Sequence, residues 1–238
     1  MMLTGVGMGP GDPELVTVKA VRVLEQADLV VVPVMDATEP GRAEATVRAH
    51  VTHDRIQRLV FALDDRGGAT AEREQAWAEA ADVVADALRS KGTVAFATIG
   101  DPNVYSTFTY LADAVRERLP ELEVRTVPGI TAMQDLAARS GTVLCEGTES
   151  LALLPLTAGI EAFEEALTHF DSVVAYKGGR QMAAVRAVLD KHGRLGTAVF
   201  GAALGLPDEQ LGPVPADQAP YLSTVIAPAR RTRRGGKL

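Results

Sequence analysis

Gly5-Val6-Gly7-Met8-Gly9-Pro10-Gly11-Asp12-Pro13-Glu14 decides the reading of this chain. It follows a short apolar start, Met2-Leu3-Thr4, which reads as a first strand. Val16, Ala20, Val23, Leu24 and Ala27 then fall on one face of a helix. The order is strand, glycine loop, helix. Glycines at alternate positions remove every second side chain, so backbone N–H groups can approach a ligand closely. A cofactor with phosphate, ribose or carboxylate groups suits such a loop. A tight turn needing φ > 0 would account for one isolated glycine, but not for Gly5, Gly7, Gly9 and Gly11 together.

A dinucleotide fingerprint wants G-x-G-x-x-G and an acidic residue after the second strand. Here Pro10 stands where the third glycine would be, and denies the close helix–strand packing that glycine provides. The second strand, Leu29 to Val34, is followed by Asp36, a carboxylate able to serve a ribose. A nicotinamide-dependent oxidoreductase is therefore weakened and stays open.

Two further strand ends carry glycine and proline. Val94 to Thr98 runs into Ile99-Gly100-Asp101-Pro102-Asn103-Val104-Tyr105-Ser106-Thr107, and Val124 to Val127 runs into Pro128-Gly129-Ile130-Thr131-Ala132. Ligands of open α/β sheets bind beyond the carboxyl ends of strands. Three such ends, each followed by a helix, describe one side of a cleft.

Taken together, the stretches G-x-G-x-G-P-G-D-P-E-L-x-T-x-K-A, G-D-P-x-x-Y and V-P-G-I-T-A resemble the tetrapyrrole methylase family, in the same order and along nearly the whole chain. The resemblance is nearest to the branch acting at C20 of precorrin-2 in cobalamin synthesis. It rests there on Thr98 to Asp101, Tyr105 to Leu111, Gly41-Arg42-Ala43-Glu44-Ala45-Thr46 and Tyr176-Lys177. Uroporphyrinogen III methylases usually carry a second glycine before G-D-P, where this chain has Ile99. A branch acting on another precorrin carbon, and a non-catalytic tetrapyrrole binder, stay open, as does whether the acceptor carries cobalt.

The resemblance implies two α/β domains with an interdomain cleft, a homodimer, S-adenosylmethionine as methyl donor and S-adenosylhomocysteine as product. It implies donor contacts from the G-D-P loop and the T-A turn, many through backbone atoms. The candidates are Pro10, Gly100, Asp101, Val104, Thr131 and Ala132. Asp101 offers a carboxylate to an ammonium or to ribose hydroxyls, and equally reads as an Asp-Pro turn former. Ala202 and Ala203, at a late strand end, frame an adenine, and Tyr176 ends another strand toward the same donor. Tyr105 is the catalytic candidate, orienting the acceptor or assisting proton removal, unless it only packs the first turn of a helix. The acceptor implied is a polycarboxylate, so Arg42, Lys177 and Arg180 are its candidate partners, unless they are solvated surface cations.

Composition narrows the rest. The chain has 238 residues, 47% of them hydrophobic, enough for one large domain or two modest ones. We place the domains at 1–127 and 128–238. No apolar run nears membrane-spanning length, and no signal-like block opens the chain, so a cytoplasmic location without membrane partners is expected. Cys145 is alone, which rules out an intrachain disulfide and a thiolate cluster, and between Leu144 and Glu146 it reads as a packed small hydrophobe. His50, His53, His169 and His192 are scattered and do not compose a zinc site. The net charge is −7, and without the cations Arg230, Arg231, Arg233, Arg234 and Lys237 the body stands at −12. So acidic a body argues against nucleic acid. The tail Arg230-Arg231-Thr232-Arg233-Arg234-Gly235-Gly236 is expected to extend into solvent.

The first half alternates strand and helix, as a parallel or mostly parallel sheet covered on both faces requires. Strands read at Leu3–Val6, Leu29–Val34, Leu59–Leu63, Val94–Thr98 and Val124–Val127, and helices at Val16–Ala27, Ala43–Val51, Ala71–Arg89 and Thr107–Leu119. Trp77, Ala81, Val84 and Leu88 form a core-facing stripe, preceded by a loop at Arg66-Gly67-Gly68-Ala69. The second half reads as a helix at Thr131–Arg139, strands at Leu151–Pro155, Val173–Tyr176, Ala198–Ala203 and Tyr221–Ala227, and helices at Glu161–His169 and Met182–Lys191. Gly205 to Pro220 reads as a hairpin-like loop.

Overall fold

Side chains that alternate between two apolar layers build the first sheet. The computed structural model describes residues 1–61 and 71–231. The strands are β1 (Met2–Gly7), β2 (Leu29–Val34), β3 (Ile56–Val60), β4 (Thr93–Thr98) and β5 (Glu123–Val127). Every pairing is parallel, in the order β3-β2-β4-β1-β5. Leu29, Val31, Val94 and Phe96 point into one cluster, and Val30, Val32, Ala95 and Ala97 into the other. That is the period of two that a sheet covered on both faces requires.

Helices α1 (Val18–Gln26) and α2 (Arg42–His50) cover one face, and α3 (Ala71–Lys91) and α4 (Phe108–Arg118) the other. The Thr17 hydroxyl caps α1 by accepting from Ala20 N at 3.2 Å. Asp12 separately caps a single 3-10 turn at Pro13–Leu15. The helix therefore starts at Val18, later than the apolar stripe from Val16 suggests. Along α3, Ala81, Val84 and Leu88 are fully buried, and Trp77 stacks on Tyr110 with ring centroids 4.8 Å apart. Gly5 is needed where α4 crosses β1, since a Cβ there would lie 2.6 Å from the Phe108 ring.

The second sheet is mixed, in the order β6-β7-β10-β8-β9. Its strands are β6 (Leu151–Pro155), β7 (Ser172–Tyr176), β8 (Val199–Ala202), β9 (Gln210–Gly212) and β10 (Ser223–Ala227). Only β6 and β7 pair in parallel. Helix α5 (Ala132–Ser140) packs through Leu136 and Ala137 on Val174, Leu204 and Ile226. Helices α6 (Ile160–His169) and α7 (Met182–Lys191) pack through Phe163, Leu167, Val185 and Leu189 on the opposite layer. The chain divides into two compact units, Met1–Thr131 and Ala132–Leu238.

Three further expectations are corrected. The third strand is Ile56–Val60, not Leu59 to Leu63; Phe61 follows it, donating its N–H to Val34 O at 2.9 Å, and 62–63 lie outside the described residues. The hairpin-like reading of Gly205 to Pro220 agrees with β9, which pairs antiparallel with β8. Cys145 is exposed, because its segment carries no regular structure that would bury it. The start of the basic tail is docked: Arg231 binds Glu149 and donates to Val143 O, and Arg230 donates to His192 O. Residues 232–238, with Arg233, Arg234 and Lys237, and the loop Arg66-Gly67-Gly68-Ala69 lie outside the described residues.

Candidate active site

Strand order places the three glycine-bearing ends side by side, since β4, β1 and β5 are neighbours. Their loops are bonded to one another. Gly9 and Gly100 form an antiparallel bridge in which Gly100 N donates to Gly9 O at 2.7 Å. Met8 N donates to Thr98 O at 2.9 Å. Gly129 approaches so closely that a Cβ on it would lie 2.1 Å from Gly100 O and 2.8 Å from the Gly7 Cα. Gly9 and Gly100 hold φ values of +72° and +68°, in the region glycine enters without a Cβ clash. A Cβ on Gly100 would meet nothing within 4 Å, so open space lies over this peptide.

Asp101 joins two of these loops. Its Oδ1 accepts from Asn103 N at 2.8 Å, which forms the turn, and its Oδ2 accepts from Gly129 N at 3.0 Å. This long-range tie between the β4 and β5 ends has no signal in the local sequence. Pro10 is buried beside the bridge, Val104 is half-buried, and Thr131 is buried at the end of the first unit. Ser106 Oγ donates to Thr98 Oγ1 at 3.1 Å and accepts from Phe108 N at 3.2 Å, fixing the start of α4. Tyr105 precedes it at φ +51° with 44% of its surface exposed, and burial of the remainder pushes its phenol above the ordinary value. At neutral pH the hydroxyl keeps its proton.

Helix α2 supports the first loop from behind. Thr46 Oγ1 donates to Gly11 O at 3.4 Å, and His50 Nε2 lies 2.7 Å from Pro13 O, an acceptor that requires the proton on that nitrogen. Glu44, 1% exposed, accepts from Arg58 Nε at 2.7 Å, from Arg48 and from Gly41 N. Arg58 also donates to Ala37 O at 3.0 Å, so one carboxylate holds α2, β3 and the loop after β2 together. Gly41 followed three residues later by glutamate is the sequence signal of half a capping box. Arg42 is exposed in the first turn of α2, where a cation opposes the helix dipole. Asp36 serves its own turn, with Oδ1 accepting from Thr38 N and Thr38 Oγ1 at 2.7 Å each. That commitment leaves the oxidoreductase reading with less support.

The second unit gathers its own candidates. Tyr176 ends β7 and its hydroxyl accepts from Met133 N at 2.9 Å, beside Ala132 in the first turn of α5. Lys177 follows at φ +60°, with Nζ 5.7 Å from the centroid of the Tyr221 ring. Ala202 is buried at the end of β8, and Ala203 follows at φ +49°. Lys177 N donates to Ser223 O and Ala203 N to Leu222 O, so both strand ends are stitched to the segment entering β10. Arg180 is exposed after Gly179, whose Cβ would lie 2.2 Å from Ala219 O. Tyr105, Lys177 and Ala203 are the non-glycine residues with positive φ among the described residues. Such backbone concentrates at functional sites because the surroundings must hold it there.

No group of histidine, cysteine and carboxylate side chains suited to a metal occurs among the described residues. None of their helices is long and apolar enough to cross a membrane. An open depression of about 320 Å³, lined by Lys19, Gln26, Thr93 and Arg125, contains none of the glycine-loop residues.

Known proteins resemble this chain over its length. The family profile described as Tetrapyrrole (Corrin/Porphyrin) Methylases matches residues 2–220. A precorrin-2 C(20)-methyltransferase of Sinorhizobium sp is 33% identical, over 97% of this chain and 96% of its own length. A cobalt-precorrin-2 C(20)-methyltransferase of Salmonella typhimurium is 32% identical, over 94% of each chain. Among solved structures, the uroporphyrin-III C-methyl transferase of Thermus thermophilus complexed with S-adenyl homocysteine superposes with a TM-score of 0.65. It is 20% identical and covers 95% of this chain and 97% of its own.

Proposed function

We propose, for a chain that belongs to the tetrapyrrole (corrin/porphyrin) methylase family, methyl transfer from S-adenosylmethionine to the C20 meso carbon of precorrin-2 in cobalamin biosynthesis, giving precorrin-3A. The observation that carries the reading is full-length similarity to C20 enzymes, joined to a cradle of the kind the donor needs. Gly100 leaves open space above three cross-bonded strand ends. When bound, S-adenosylmethionine supplies an activated methyl on a sulfonium whose leaving group is neutral, so the protein's task is alignment and exclusion of water.

Pro10, Gly100, Asp101, Val104, Thr131 and Ala132 would line the donor's amino-acid and ribose ends, and Ala202 and Ala203 its adenine. Asp101 builds the turn there, and each oxygen, with one backbone N–H already bound, keeps acceptor capacity for the donor's ammonium or ribose hydroxyls. Tyr176 orders Ala132 by capping the helix start. Tyr105, with its proton retained, orients the acceptor by donating a hydrogen bond. A homodimer and a cytoplasmic location complete the proposal and rest on the family resemblance and the sequence reading.

S-adenosylhomocysteine at about a hundred times its Kd should stabilise the native state by about 2.7 kcal/mol and raise Tm by roughly 5–10 °C. Stabilisation by a nicotinamide dinucleotide alone would overturn the methylase reading. Methyl label from S-adenosylmethionine should appear in precorrin-2 offered with and without cobalt. Label reaching only other precorrins would move the reading to another branch.

Arg42, Lys177 and Arg180 are proposed to meet the acceptor's carboxylates, against the field of an acidic body. The double variant Lys177→Gln, Arg180→Gln should raise the tetrapyrrole KM several-fold and leave S-adenosylhomocysteine affinity within twofold. Equal losses of both would assign these residues to the donor or the scaffold, and no loss of either to the solvated surface.

A further inference from the structure

Asp135 lies in the first turn of α5, three residues after Ala132, and is 4% exposed. Its Oδ1 accepts from Arg139 Nε at 2.8 Å, while Oδ2 is buried with no hydrogen-bond partner among the described residues. A carboxylate half-satisfied in a core opposes folding, and an apolar side chain of similar volume would serve the packing better. Arg139 continues outward. Its NH1 donates to both oxygens of Glu209, at 3.0 and 2.9 Å. Glu209 Oε2 then accepts from Gly205 N at 2.6 Å. The backbone completes the path, with Glu209 N donating to Leu206 O at 3.1 Å and Leu206 N to Ala203 O at 3.0 Å.

Charge-assisted bonds thus run from the first turn of α5 to the loop that opens at Ala203. Apolar packing joins the same two elements: a Cβ on Gly201 would lie 2.9 Å from both Leu136 Cδ1 and Leu204 Cδ2. Packing of this kind sets how near the helix comes to the strand, but it is non-directional. Charge-assisted hydrogen bonds are directional and fix how far the helix may slide or turn.

We propose that Asp135, Arg139 and Glu209 form a positioning relay for the donor. It holds the loop beginning at Ala203 in register with the turn beginning at Ala132. The proposal rests on the reading of Ala132, Ala202 and Ala203 as donor contacts. None of the three relay residues touches the donor; they act through those backbone segments.

Glu209 lies on a loop, so its removal spares the core. Glu209→Ala should weaken S-adenosylhomocysteine binding by about tenfold in calorimetric titration, the scale of one charge-assisted hydrogen bond. The donor KM should rise by the same factor while the tetrapyrrole KM stays within twofold. Glu209→Gln, which keeps an acceptor for Gly205 N and Arg139, should recover most of the loss. Wild-type affinity in Glu209→Ala, or equal rises in both KM values, would overturn the relay. If the wild type itself bound no S-adenosylhomocysteine, the donor reading would fall first and take the relay with it. The two failures are therefore seen in different proteins.

Discussion

Gly100→Ala should fold and yet bind S-adenosylhomocysteine at least tenfold more weakly, whereas Gly129→Ala should not keep the three loops together. The contrast follows from what each new methyl meets. At Gly129 it would sit 2.1 Å from the Gly100 carbonyl and 2.8 Å or more from Gly7, all of it backbone. Overpacking a core costs about 1–3 kcal/mol when side chains can yield. Here none can, and a loss of at least ~3 kcal/mol is a large share of a native stability of about 5–15 kcal/mol. At Gly100 the methyl meets no protein atom within 4 Å, and the cost is that of left-handed backbone at φ +68°, roughly 1–2 kcal/mol. The methyl would instead occupy the space assigned to the donor. Urea melts and calorimetric titration of both variants separate the effects. Undiminished affinity in Gly100→Ala would remove the cradle, and wild-type stability in Gly129→Ala would mean that the loops part freely.

Glu44→Ala should lose about 2–3 kcal/mol of stability at neutral pH. Breaking a buried ion pair costs roughly 3–5 kcal/mol, reduced here because the Arg58 and Arg48 side chains are 30% and 52% exposed. The pH dependence has a definite sign. Burial pushes the Glu44 carboxyl up, but hydrogen bonds from Arg58, Arg48 and the Gly41 amide outweigh it, and the group lies below its ordinary 4.5. A carboxyl lowered by folding contributes in full above that ordinary value and loses its contribution as pH falls through the folded one. The wild type should therefore lose stability below pH 4.5 more steeply than Glu44→Gln. Parallel pH curves for the two proteins would show that solvent already screens the cluster.

The strands of the first sheet and the helices of both units were legible because local periodicity records which face of an element is buried. The third strand was misplaced because apolar composition records burial and not pairing. Phe61 is fully buried near Phe96, with ring centroids 5.6 Å apart, yet the ladder belongs to Ile56–Val60, an edge strand in which Gln57 and Val60 are exposed. The glycine-bearing ends were legible as loops, but their mutual bonding was not. Asp101 and Gly129 are 28 residues apart, Glu44 and Arg58 are 14, and Arg139 and Glu209 are 70. Such ties depend on strand order, which no local pattern encodes. Only their near halves left a trace, as Gly41 before Glu44 and as Asp135 four residues before Arg139. The docking of Arg231 on Glu149 is illegible in the sequence for the same reason, since a run of arginines carries no mark of a carboxylate 82 residues away.

The bridge between Gly9 and Gly100 ties the affinity of the proposed donor loops to the stability of the sheet beneath them. Ordering a residue costs about 1–2 kcal/mol of conformational entropy, and in these loops the backbone bonds from Gly100 to Gly9 and from Met8 to Thr98 exact that cost when the chain folds. A ligand arriving later loses little of its binding energy to ordering the protein. A change that loosens Leu3, Val6 or Phe96, none of which touches the loops' open side, returns part of that entropy to the loops and makes the ligand order them again.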